Sequence, residues 1–157
     1  MKGAVLEKGQ SYYTYLDEIF PALGGEHLKY NWLITDLECN NYPKGLSWGK
    51  DYIWLSGKEL SDIVYKNRVQ FIWGILLAFE QSVTLEDVLS YQLPYVRDSG
   101  GYWPNPISIA HPKAEIEIVP CDSSLVLLVS KDDILIEKFM DYFPLSEDLE
   151  RYNARHE

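Results

Sequence analysis

"VQFIWGILLAF", residues 69–79, holds the longest unbroken apolar run of the chain, Phe71 to Phe79, and its reading decides the fold. Periodicity alone does not separate a buried strand from a buried helix in such a run. Aromatic and β-branched residues are frequent in it, and they pack well on a pleated surface, which favours a strand. One face then carries Val69, Phe71, Trp73, Ile75, Leu77 and Phe79, and the other Ile72, Gly74, Leu76 and Ala78. Both faces are apolar, so the strand is expected at the centre of a sheet covered on both sides. Gly74 marks either a bulge or the close approach of another element. The run is half the length a membrane-spanning helix needs.

Working outward toward the N-terminus, "SGKE" at Ser56–Glu59 reads as a capping box. It opens a helix through Leu60, Ile63 and Val64 to about Asn67. Before it stand "YNWLITDLEC" (30–39), which alternates like a strand, and "DYIWLS" (51–56). These two are expected to form a hairpin with a long connection. A first short strand spans Ala4 to Glu7. It is followed by a helix capped by Ser11, with Tyr12, Tyr15, Leu16 and Ile19 on its buried stripe. Pro21 and Gly24-Gly25 end that helix.

Toward the C-terminus, Thr84 caps a short helix with Asp87 three residues on. Then comes "YVRDSGGYWPNPISIAHPKAEIEIV" (95–119), a glycine- and proline-rich stretch that runs into alternating residues. Three antiparallel strands are expected at "ISIAH", "AEIEIV" and "SLVLLVS". Ser130 with Asp133 opens a last long helix, with Leu135, Ile136, Phe139, Met140 and Phe143 inward, which Pro144 ends. Residues 146–157 read as a tail that adds one turn and frays. Strands and helices are segregated rather than alternating. The expected fold is a single α+β domain over residues 1–157, with a mainly antiparallel sheet and helices packed chiefly on one face.

The chain has 157 residues and a net charge of −10. No cluster of Lys and Arg offers the phosphate contacts that nucleic-acid binding requires. From Lys113 to Glu157 eleven acidic residues stand against five basic ones, a net of −6. Such a surface suits a basic partner, although solubility alone also accounts for it. The first residues carry one lysine and too short an apolar segment for a secretory signal, so a cytoplasmic protein is expected. Cys39 and Cys121 form no CxxC pair and read as core thiols.

No catalytic, metal or cofactor signature emerges. His111, Glu115 and Glu117 share one strand face and could be imagined as metal ligands, but the better reading is the solvated side of a half-buried strand. Glu115 and Glu117 alone make a poor glycosidase pair, because catalytic carboxylates flank a bond and usually come from different elements. Ser123-Ser124 lacks the glycine-flanked elbow of a serine hydrolase, and Gly100-Gly101 is followed by neither the lysine nor the helix of a phosphate loop.

The candidate site residues are therefore those of aromatic loops. Tyr95, Arg97, Tyr102 and Trp103 stand in the long loop, and Trp48 stands in a second one, "NNYPKGLSWGK" (40–50), which could lie nearby. Tyr, Trp and Arg combine large contact area with a polar tip and few rotors, the profile of interface anchors. The competing reading folds these rings inward as a lid on the sheet.

The runs "WPNPISIAHPKAEIEIVPCDSSLVLLVSKDD" and "FPLSEDLERYN" resemble the C-terminal half of a small family of uncharacterised function from Gram-positive bacilli. The resemblance covers about residues 70–153. It implies a bacterial cytosolic protein and assigns no catalytic residue. The first functional expectation is a non-enzymatic protein-binding module, in one version an immunity or antitoxin-like protein that covers a basic toxin. The alternative is a small-ligand binder or enzyme with a pocket around Arg97 and His111, in which Arg97 anchors an anion and His111 is acid or base. Self-association of the chain through the same aromatics is a third reading.

Overall fold

The computed structural model describes residues 1–96 and 103–156. Seven strands are present: β1 (Lys2–Leu6), β2 (Tyr30–Cys39), β3 (Ile53–Ser56), β4 (Phe71–Glu80), β5 (Ile116–Cys121), β6 (Leu125–Ser130) and β7 (Glu147–Asp148). They form one sheet in the order β3-β2-β4-β5-β6-β1-β7, and every pairing is antiparallel. The helices are α1 (Leu16–Ile19), α2 (Gly57–Lys66), α3 (Leu85–Leu89), α4 (Asp133–Tyr142) and α5 (Leu149–His156), with two 3₁₀ turns at Phe20–Leu23 and Glu26–Lys29. The fold is α+β, as the segregation of elements implies.

The apolar run forms β4, paired with β2 on one side and β5 on the other. Its two faces feed two cores. On the first, Leu76 and Ala78 join Trp32, Ile118 and Leu128 beneath α1, α2, α4 and the 3₁₀ turns. On the second, Ile75, Leu77 and Phe79 join Leu33, Val119, Leu127 and Val129. Each buried Leu, Ile or Phe stabilises the fold by roughly 1.5–3 kcal/mol, which makes this sheet the main source of stability.

Phe71, however, lies in the first core although even spacing puts it with Ile75. The alternation breaks between them. The pairing of β2 with β4 passes from Thr35↔Ile75 to Glu38↔Trp73 and then to Cys39↔Phe71, so the register shifts once at Gly74 and again at Ile72. An irregular β2 bends the sheet there and re-aims the side chains.

The second face is closed by α3, the described parts of the connection after it, and α5. Val88, Leu93, Val96, Trp103, Ile107, Ile109 and Tyr152 all pack into that core. The stretch "ISIAH" is a loop in this cover rather than a strand, and its alternating isoleucines point at the sheet from outside its plane. Of the three strands expected between residues 107 and 130, two form, β5 and β6.

The expected capping box at Ser56 and N-cap at Thr84 are both present: Ser56 exchanges hydrogen bonds with Glu59, and Thr84 does so with Asp87, which makes a second box there. Two other helix starts differ. The first helix begins only at Leu16, preceded by Thr14 at φ +68°, and its N-cap Tyr15 makes no side-chain bond. The last long helix is capped by Asp132, whose carboxylate accepts from the Ile134 N–H, while Ser130 accepts from the Asp132 N–H.

The C-terminal tail does not fray after one turn. β7 pairs with β1, and α5 buries Leu149 and Asn153. Gly3 makes the docking possible, since a Cβ there would stand 2.5 Å from Leu149 Cδ2 and 3.1 Å from the Leu128 carbonyl oxygen.

Candidate functional site

The irregular stretch of β2 that bends the sheet also builds a groove. Asp36 adopts φ +54° within it, and the chain bulges outward over residues 36–37. Thr35, fully buried, donates from its hydroxyl to the Pro94 carbonyl oxygen at 2.6 Å. That bond ties the segment after α3 to the bulge.

The loop from Asn40 to Asp51 is held from its base. The Asn40 side chain accepts from the Gln70 N–H at 2.9 Å, the Cys39 N–H donates to the Tyr42 hydroxyl at 3.0 Å, and Leu46 is buried in the first core. Gly45 takes φ +100°, and a Cβ there would lie 2.7 Å from Ile63 Cδ1. A glycine suits both constraints. With Leu46 anchored inward, Trp48 two residues on stands 74% exposed, the most exposed large apolar side chain among the described residues. Tyr95 closes the gap between the two loops by donating its hydroxyl to the Asp51 carbonyl oxygen at 3.3 Å.

The result is a groove in two adjoining parts that share Asp36, Leu37 and Trp48. One part, of about 430 Å³, is walled by Trp48, Trp73 and Val96 with Glu38 at its edge. The other, of about 490 Å³, continues to Gly49, Lys50, Asp51 and Tyr95. Among the described residues, the carboxylates of Asp36, Glu38 and Asp51 and the ammonium of Lys50 line the groove. The groove offers aromatic faces, a short apolar floor and negative charge, and no described residue there is a candidate nucleophile. Cys39, close by in sequence, is buried, and burial first and the Glu38 charge second push its thiol up to about 12. Cys121 is likewise pushed up to about 12, by burial and then by Asp122. The two thiols pack into opposite cores, on strands that flank β4. Both cysteines are free.

Of the sequence-read candidates, Trp48 and Tyr95 line this groove. Arg97 and Tyr102 lie outside the described residues. Trp103 and His111 are elsewhere, turned into the cover of the second core. The Trp103 indole N–H donates to Asn153 Oδ1 at 2.6 Å, and Asn153 Nδ2 donates to the Pro104 carbonyl oxygen at 3.1 Å.

His111 is 0% exposed, with its ring edge-on to Phe79 and Tyr91. The Lys113 N–H donates to Nδ1 at 3.1 Å, so Nδ1 carries no proton. Nε2–H therefore donates to the Val88 carbonyl oxygen at 3.0 Å. Burial lowers the His111 pKa below the usual histidine value, and nearby Lys113 and Lys131 add to that. Both ring nitrogens are committed to backbone groups, so this imidazole pins α3 to the loop.

Glu117 is the other reversal. Its strand face reads as solvated, yet Glu117 is 0% exposed and accepts from the Ala110 N–H at 2.9 Å, because residues 107–111 fold over it. Glu115 does reach solvent and pairs with Lys131 at 3.2 Å. Among the described residues no three His, Cys, Asp or Glu converge as a metal would require. None of the described helices is long and apolar enough to cross a membrane.

Leu37, Glu38, Asp51 and Trp73 are groove residues that the sequence reading did not single out. Their convergence depends on the β2 bulge, and positive φ at an aspartate leaves no mark in the sequence. No family model, curated protein or solved structure matches the chain.

Proposed function

We propose that this chain is a non-enzymatic binding protein that holds a basic protein partner through the groove between residues 40–51 and 91–96. The observation that carries this reading is Trp48, which stands largely in solvent on a loop held rigidly from below. An exposed tryptophan beside a concave, acid-lined surface has the composition of an interface anchor with its pocket. The net charge of −10 supports the sign of the partner, since it raises the encounter rate with cations. An immunity or antitoxin-like protein of a bacterial cytosol, covering a basic toxin, is one concrete version. The second reading, a catalytic pocket around Arg97 and His111, loses its acid–base group to the interior of the protein.

Affinity capture from the source cell's extract, at low and moderate salt, tests the proposal. The wild-type chain is expected to retain a basic protein that Trp48→Ala does not. Retention of no protein, equal retention by both chains, or retention only of further copies of the same chain would overturn it.

A further inference from the structure

Resting on that reading of the groove, we propose that its narrower part receives an arginine side chain of the partner, stacked against Trp48 and Trp73 with Glu38 as its counter-charge. The hollow of about 430 Å³ is walled by two indoles, with Leu37 and Val96 apolar beside them. Trp73 is partly covered and fixed by its strand, paired with Glu38 on β2 and with Cys121 on β5. Trp48 is exposed, on the anchored loop opposite. A cation between indole faces is attracted by their negative π-clouds, and Trp is the strongest of the aromatic partners. Arginine fits better than lysine on two physical grounds. Its guanidinium is planar and stacks on a ring, and it sheds water at lower cost than an ammonium.

Charge complementarity fixes the occupant's sign. The Glu38 residue is exposed at the hollow's edge, directly opposite Trp73 in the strand register, and none of the ion pairs of the described residues uses it. A neutral apolar partner would leave that carboxylate facing a dry surface. A guanidinium satisfies it with fork-shaped donors while its plane lies on the indoles. The adjoining part of the groove, toward Asp51, then follows the main chain on either side of the arginine.

The test uses the full chain and four small probes: N-acetyl-arginine methylamide, its lysine and citrulline counterparts, and tetramethylammonium. Citrulline keeps the shape of arginine and removes the charge. Indole N–H signals of Trp48 and Trp73 are followed by NMR at millimolar probe. Both signals are expected to shift with the arginine compound, about fivefold more weakly in affinity with citrulline, and about threefold more weakly for arginine on Glu38→Gln. Trp48→Ala, at an exposed position, should abolish the Trp73 shift without moving the melting temperature. Equal binding of citrulline, preference for lysine or tetramethylammonium, or no shift of either indole overturns the inference. Failure here is separable from failure of the proposed function: a partner whose capture needs Trp48 but is indifferent to Glu38→Gln keeps the groove and removes the arginine.

Discussion

Trp48 and Trp103 sit in loops of similar composition, both furnished with glycine, proline and tyrosine, and they meet opposite fates. Trp103 is folded under: its indole N–H reaches Asn153 of α5, its ring lies 5.2 Å from that of Tyr152, and its neighbour Pro104 is buried. Trp48 is held out by the anchoring of Leu46 beneath it. What separates them is the supply of internal partners. The described part of the connection over the second face meets an apolar sheet and the side chains of α5, so the Trp103 indole and the His111 imidazole find partners there. The Trp48 loop connects β2 to β3 and, among the described residues, faces the β2 bulge, Trp73 and the segment at Tyr95 and Val96. An aromatic loop becomes a cover where the sheet beneath it is uncovered, and leaves its ring in solvent where it is not.

The comparison breaks if the cover is not essential. His111→Leu leaves the Lys113 N–H without its partner and the Val88 carbonyl with only the Tyr91 N–H, and it is expected to cost about 2 kcal/mol in urea unfolding. A loss below about 1 kcal/mol would mean that the cover is dispensable. Asn153→Ala removes both bonds that join α5 to the loop, and about 2 kcal/mol should follow. Hydrogen exchange should also rise in α5 and around Trp103, and not in α2.

Titration sharpens the contrast. Burial lowers the pKa of both His27 and His111 below the usual histidine value. Their neutral rings therefore support the fold fully above about pH 6.5, and that support is lost as the pH falls from there through the depressed folded values. Thermal melts should hold level from about pH 8 to about pH 7 and decline toward about pH 5, with a shallower decline in His27→Ala. The groove holds no histidine, so its solvent exposure should not follow that decline until unfolding begins.

The smallest effect is expected at the most exposed ring. Trp48→Ala should change stability by less than about 0.5 kcal/mol, since no core packing is lost. A clearly larger loss in the same unfolding assay would place Trp48 in the cover class with Trp103.

Much of this contrast was out of reach of the sequence, and the reasons are physical. Several features were legible: the capping box at Ser56, the N-cap at Thr84, the centrality of Phe71–Glu80, and the pairing of the strand at 30–39 with that at 53–56. Alternation misled at Ile107 and Ile109, because a loop lying on an apolar sheet needs the same pattern as a strand within one. It misled again at Glu117, where the covering loop turned a solvent face into an interior one. The tail reads as one turn that frays, yet Leu149, Tyr152 and Asn153 dock α5 where Gly3 makes room. For the site, Trp48 and Tyr95 were singled out by type, while Trp73, Leu37 and Glu38 were not, since a register shift between distant strands brings them together.

Hydroxyl-radical footprinting of the tryptophans, read by mass spectrometry on the free chain and on the chain bound to its captured partner, tests the central claim most directly. Trp48 should oxidise fastest in the free chain and become protected in the complex, while Trp103 stays slow in both. Oxidation of Trp103 as fast as Trp48 in the free chain, or a Trp48 that labels equally in the complex, would contradict the account.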